Sequence, residues 1–185
     1  TNGFKANQRL RRYQSIIQKD KDLCLGSYCF LWGQKQESTS TWHGMYLSNG
    51  DPTEAVDVMQ YCWKGEWPAK RAPSLMQIKL NGDNWKKNHV FIKNEEVILD
   101  FIYERNNNDS LYFDFQLYPE TFSTKGGGDF QKSPDKLKFE IVKQSENSLS
   151  FKVPNKKGFY RIFVFVRNEN NQTSVANIPF KVEQL

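Results

Sequence analysis

The sequence is poor in the residues that usually carry catalysis or bind metals. Its 185 residues include two histidines, His43 and His89, and three cysteines. The histidines lie far apart, and neither has cysteines or carboxylates near it at the spacing of a zinc site. The sequence therefore predicts neither a metal site nor a bound cofactor.

Long apolar runs are also missing. No stretch of 18 consecutive apolar residues occurs, so no membrane span is predicted. The first residues, TNGFKANQRLRR, lack the apolar core of a secretion signal. We expect a soluble chain that begins where a longer one was cut.

Charge of one sign is not concentrated anywhere. The net charge is +5, but 21 acidic residues lie among the 26 basic ones. A nucleic-acid partner normally requires a basic patch or stripe, so none is predicted. The sequence has enough apolar residues to form a packed core, because 38% of its residues are hydrophobic and 15% are aromatic.

The first 67 residues show a helix, an apolar run and a second helix. Residues 5–19 have helical hydrophobic spacing, and Thr53 is a suitable N-cap for the second helix. Residues 24–32 are apolar without alternation, which is typical of a strand buried on both faces, with Cys24 and Cys29 in the core. A single such strand cannot satisfy its own backbone groups. We therefore expect residues 1–67 to be the last helix-strand-helix of a larger parallel α/β sheet or barrel whose earlier strands are missing from this chain.

The second half has a different pattern. A proline-flanked linker at residues 68–73 precedes seven short alternating runs in residues 74–185, with turn signals at 106–109, 126–128 and 168–171. This spacing predicts a seven-stranded sandwich of the immunoglobulin or fibronectin kind. Tyr160 follows Gly158 and is placed to form a tyrosine-corner hydrogen bond.

The stretch LGSYCFLWGQKQESTSTWHGMYLSNGDPTEAVDVM resembles the eighth-strand region of bacterial (β/α)8 glycoside hydrolases related to families 2 and 5. The later WPAKRAP and the sandwich resemble the immunoglobulin-like domain that follows some of these barrels. The resemblance implies a periplasmic or extracellular protein. It also places both catalytic carboxylates on strands that this chain lacks, so this chain alone is predicted to be inactive.

The same resemblance implies that Trp32 is the floor of a sugar subsite. Trp32 and Trp42 can offer flat apolar faces to a sugar ring, while Gln34 and Gln36 supply polar contacts. Glu37 is either a sugar-binding acid or a solvated partner of Lys35. Trp32 and Trp42 are alternatively ordinary core residues.

Two functional predictions remain open at this point. The first is the C-terminal part of a polysaccharide-degrading hydrolase, with a polysaccharide or oligosaccharide as ligand, completed by the rest of the barrel or by another copy of the chain. The alternative is a carbohydrate-binding or structural immunoglobulin-like interaction module without catalysis. An exposed aromatic row on one sheet would favour the alternative, and Phe163 and Phe165, out of phase with the core positions of their strand, are its candidates.

Overall fold

The computed structural model describes residues 1–122 and 128–184. Within these residues, two α-helices precede eight strands in chain order. The helices and strands are α1 (Asn2–Arg12), α2 (Glu54–Lys64), β1 (Ser74–Leu80), β2 (Val90–Ile92), β3 (Glu96–Glu104), β4 (Leu111–Pro119), β5 (Ile141–Gln144), β6 (Ser148–Lys152), β7 (Gly158–Asn168) and β8 (Thr173–Glu183). Part of the predicted turn at 126–128 lies outside the described residues.

The eight strands form two sheets of four. The first sheet has the order β1-β3-β6-β5, and the second has the order β2-β8-β7-β4. The neighbouring strands are antiparallel except β2, which runs parallel to β8. This order corresponds to the A-B-E-D and G-F-C sheets of an immunoglobulin domain with one extra edge strand. The eight strands therefore form an immunoglobulin-like β-sandwich.

The core lies between the sheets and follows from the two-residue period of the strands. In β7, Tyr160, Ile162, Val164 and Val166 point inward, and they pack with buried residues of the first sheet such as Phe151. The Tyr160 hydroxyl donates a hydrogen bond to the Lys156 carbonyl at 2.8 Å. The predicted tyrosine corner is confirmed. β2 is the strand that was not among the seven predicted, because its three residues are too few to show an alternating pattern.

The two predicted helices form, with local adjustments. α1 ends at Arg12 and continues as one π-helical turn, Tyr13–Ile17. α2 follows Thr53 and ends at Gly65, whose φ of 78° is the left-handed conformation that favours glycine after a helix. Within the described residues, neither helix is long and apolar enough to cross a membrane.

The predicted strand at 24–32 is wrong, and with it the barrel piece. These residues, all described, form turns and irregular chain, and Leu25 and Tyr28 are fully exposed at 102% and 104%. Backbone groups near the end of the run are satisfied without a strand partner. Arg9 donates to the Phe30 carbonyl at 3.1 Å, and the Met45 amide donates to the Leu31 carbonyl at 3.2 Å. These two carbonyls therefore have hydrogen-bond donors without a neighbouring strand.

The first half instead docks on the sandwich. α1 packs against α2, β1 and β8. Thr53 forms a parallel bridge to Thr173, whose amide donates to the Pro52 carbonyl at 2.9 Å. In addition, the Ala72 amide donates to the Asp57 carboxylate at 2.7 Å, which ties the 68–73 segment to α2.

Candidate functional site: a groove over the outer face of the second sheet

The outer face of the second sheet is formed by the residues that alternate with the core positions. Because side chains point to opposite faces along a strand, Phe115 and Leu117 of β4 point inward while the residues between them point outward. The register pairs Asp114 with Phe165, Gln116 with Phe163 and Tyr118 with Arg161. These six outward side chains form one continuous surface, here called the outer face.

Residues 34–49 cross above this outer face. Leu47 packs on Phe163 and Val175 in a small apolar cluster that also includes Tyr118 and Phe165. On the other side of the segment, the Ser38 amide donates to the Gln131 side chain at 3.0 Å. The segment is therefore fixed at both the sheet and the loop that precedes β5.

A groove of about 280 Å³ lies between this segment and the sheet. Its lining includes many side chains with neutral hydrogen-bonding groups. They are Gln34, Gln36, Ser38, Thr39, Ser40, Ser48, Asn49, Gln116, Thr121 and Ser133.

Three aromatic rings form the apolar part of the groove. Phe163 and Phe165 are stacked, with ring centroids 6.1 Å apart, and Tyr118 meets Phe163 edge-on at 5.6 Å. Phe163 is buried, whereas Tyr118 and Phe165 are half-buried and line the groove with it. The Tyr118 hydroxyl donates to the Gln116 carbonyl oxygen at 2.6 Å. This combination gives the groove an apolar part beside hydrogen-bonding groups.

The arginines of the groove are engaged by acids. Arg161 contacts both oxygens of Glu120, with the closest approach at 2.7 Å, and also donates to Asn177 at 2.6 Å. Arg167 pairs with Asp51 at 2.7 Å. Each guanidinium therefore carries its counter-charge within the protein.

Gln36 contributes a buried polar group to the groove. Its carbonyl oxygen accepts a hydrogen bond from the Ser133 hydroxyl at 3.2 Å. Its amide nitrogen is buried and has no hydrogen-bond partner among the described residues. A buried donor without a partner costs free energy.

The sequence-predicted site residues divide into two groups. Gln34 and Gln36 line the groove, whereas Trp32, Glu37 and Trp42 do not. Glu37 pairs with Lys35 at 3.2 Å and lies 3.6 Å from His43. The structure thus separates the predicted amides from the predicted indole rings.

Trp32 and Trp42 lie on a different, exposed aromatic surface. Trp32 is 51% exposed and meets Tyr46 and Trp63 at centroid distances of 5.5 and 5.6 Å. Trp42 is 55% exposed, and the Lys5 ammonium lies 5.8 Å from its ring. Neither indole is a core residue. The prediction that the rest of a longer protein or another copy contacts this chain stays a prediction.

Sequence reasoning missed most of the sheet side of the groove. The alternation in LYFDFQLY marks Asp114, Gln116 and Tyr118 as outward, and the phase of Phe163 and Phe165 was visible as well. No local pattern shows that residues 34–49 fold back over these positions, because the contact joins segments more than 60 residues apart.

One further polar cluster lies at the contact between the helices and β8. The Ser174 hydroxyl donates to the buried Glu54 carboxyl at 2.8 Å. Burial raises the pKa of Glu54 to about 8, and burial also raises the pKa of Asp57 to about 6. Among the described residues, no three or more His, Cys, Asp or Glu side chains are grouped so as to hold a metal ion.

Comparison with known proteins identifies no family. No family profile matches the chain, and no curated protein matches it. Among solved structures, it is similar to a nucleoside hydrolase-related hypothetical protein from Saccharophagus degradans that is associated with carbohydrate metabolism. That match has 17% identity and a TM-score of 0.42, and it covers 70% of this chain but only 29% of the other.

Two smaller solved structures are also similar. The copper resistance protein PcoC from Escherichia coli matches with 14% identity and a TM-score of 0.33, covering 60% of this chain and 99% of that one. Murine CRIg matches with 8% identity and a TM-score of 0.33, covering 61% and 98%.

Proposed function

We propose that the chain is a glycan-binding module without catalytic activity of its own, and that the groove over the outer face is its binding site. The observation that carries this proposal is the composition of the groove, in which three aromatic rings lie beside ten side chains with neutral hydrogen-bonding groups. A sugar has an apolar C–H face and a rim of hydroxyls, so it needs this combination.

The ligand class is a neutral glycan. A uronic acid or a sulfated sugar needs a cation for its charge, and both groove arginines are already paired with carboxylates. Asp114 also lies in the groove, where the Lys136 ammonium is 3.9 Å from its carboxylate. An anionic sugar would therefore have to displace an existing ion pair or approach an acid, and both cost free energy.

The proposed ligand is a glycan, as the resemblance to glycoside hydrolases implies, but residues 1–67 are not part of a barrel. The proposed sugar contacts move from Trp32 and Trp42 to the sheet, while Gln34 and Gln36 keep the role predicted for them. Glu120 is held by Arg161 through both of its oxygens. That pairing favours a structural role for this acid over proton transfer.

Calorimetric titration of the whole chain with two sets of oligosaccharides tests the proposal. One set is neutral, with β- and α-linked glucans, mannans and xylans, and the other is acidic, with oligogalacturonides and sulfated oligosaccharides. We expect a neutral member to bind with an affinity that changes little between 50 and 500 mM salt. Binding confined to the acidic set with a steep salt dependence would contradict the neutral class, and no binding of either set at millimolar ligand would contradict the module's function.

A further inference from the structure

Four sulfur-containing side chains meet at the contact between α2 and the irregular segment 24–47. Met45 and Met59 are buried together, and Cys29 and Cys62 pack against them. Met59 and Cys62 are three residues apart on α2 and therefore lie on one face of that helix. We call these four residues the sulfur cluster.

The Cys29 sulfur lies 2.9 Å from the Met45 sulfur, so the two side chains are in direct contact. Cys62 packs against the same buried side chains as Cys29, which places the second thiol at the same cluster. Both cysteines are partly exposed, whereas Met45 and Met59 are buried. An ion could therefore enter from the side of the thiols.

Sulfur ligands select soft metal ions. Thiolates and thioethers favour Cu(I), whereas hard cations such as Mg²⁺ and Ca²⁺ prefer oxygen ligands. Two thiolates around a monovalent ion leave a net charge of −1. The Arg9 guanidinium lies 3.3 Å from the Cys29 sulfur and offsets that charge.

We propose that Cys29, Cys62 and Met45 form a binding site for a single Cu(I) ion, with Met59 closing the buried side. The two thiols release their protons to solvent as the ion binds, and no electron is transferred. Sequence spacing does not reveal this site, because its ligands come from three separate segments and two of the four sulfurs are thioethers. The site is independent of the glycan groove.

Competition with a chromogenic Cu(I) chelator such as bicinchoninate tests the proposal on the whole, fully reduced chain under nitrogen. We expect one equivalent of Cu(I) per chain. Cys29→Ser and Cys62→Ser should each weaken binding at least 100-fold, and Met45→Leu, which keeps the volume, should weaken it about tenfold. Cys24→Ser is the matched control and should bind like the wild type, because its thiol contacts the Gly26 carbonyl outside the cluster.

X-ray absorption of the Cu(I) complex provides a second measurement that does not depend on the variants folding. Only sulfur neighbours are expected around the ion. Oxygen or nitrogen neighbours, or unchanged affinity in Cys62→Ser, would overturn the proposal. Failure of the wild type to compete, with a Cys29–Cys62 disulfide formed on mild oxidation, would overturn it in favour of a redox pair.

Discussion

Glu54 is a buried acid that links the helices to the sandwich. One of its oxygens accepts the Ser174 hydrogen bond, and the other has no hydrogen-bond partner among the described residues. Burial removes water from the charged form, which is why the pKa of Glu54 rises to about 8 from its ordinary 4.5. At neutral pH the folded chain therefore holds a proton here that the unfolded chain releases.

This proton makes the stability of the fold depend on pH. The folded pKa is above the unfolded one, so the stabilisation is fully present below pH 4.5 and is lost as pH rises toward 8. One proton corresponds to a slope of about 1.4 kcal/mol per pH unit at most. Asp57 adds a similar loss between its ordinary 3.8 and about 6.

Glu54→Gln should remove the Glu54 part of this dependence. The amide keeps an acceptor for Ser174 and has no charge to bury, so we expect the variant to exceed the wild type in stability at pH 8 by about 1 to 3 kcal/mol. Urea unfolding of both proteins at pH 5, 6.5 and 8 measures the difference in their free energies of unfolding. An identical loss of stability from pH 6.5 to pH 8 in both proteins would show that Glu54 is not the group responsible.

At the scale of elements, the sandwich was largely predictable and the first half was not. Seven of the eight strands lie where the alternating runs predict them. The fifth strand, β5, begins at Ile141, whereas the run KLKFEIV that predicts it begins at Lys136. Alternation works there because each strand has one face in the core and the other toward solvent or a covering segment. The same pattern identified Phe163 and Phe165 as outward residues of β7.

The apolar run at 24–32 failed as a prediction for a physical reason. Hydrophobicity shows that a segment can be buried, but it does not show that neighbouring strands exist. Here Arg9 and the Met45 amide donate hydrogen bonds to carbonyls of the run in place of a neighbouring strand. Leu25 and Tyr28 then remain in solvent. Of the five predicted sugar-site residues, Gln34 and Gln36 line the groove, because the segment that carries them is polar and packs over the sheet. Their contact with a sugar stays a prediction.

The boundary at residue 74 stays a prediction, and the structure adds an expected cost. A chain of residues 74–185 keeps all eight strands but uncovers Phe163, Val175 and Thr173, which the first half buries. We expect cooperative unfolding with a stability lower by about 2 to 5 kcal/mol than that of the whole chain. Chemical denaturation measures the difference, and amide NMR dispersion reports whether the fold is kept. A collapsed spectrum would show that the sandwich depends on its first half.

The same truncated chain also separates folding from binding. Residues 34–49 form one wall of the groove, so residues 74–185 should lose glycan affinity even when they fold. Full affinity in the truncated chain would place the site elsewhere on the sandwich.

For the molecule as a whole, the predicted absence of hydrolysis follows from the way its groove acids are used. Glycosidic cleavage needs a proton donor and a second carboxylate acting as nucleophile or base. Glu120 is fixed by Arg161, and Asp114 accepts a hydrogen bond from Gln116. We expect no reducing ends after long incubation with neutral polysaccharides. Turnover by purified chain that disappears in both Asp114→Asn and Glu120→Gln would contradict a purely binding role.

Binding of a neutral sugar at the aromatic side of the groove is tested most directly by a matched pair of tyrosine variants. Tyr118 lines the groove, whereas Tyr112 lies on the same strand and points to the same side but does not line it. With the neutral oligosaccharide that binds the wild type, Tyr118→Ala should lose about 1 to 2 kcal/mol, roughly 5- to 30-fold in Kd. Tyr112→Ala should bind within a factor of two of the wild type, with circular dichroism confirming that both variants fold. Equal affinities for the two folded variants would contradict sugar binding at the aromatic side of the groove.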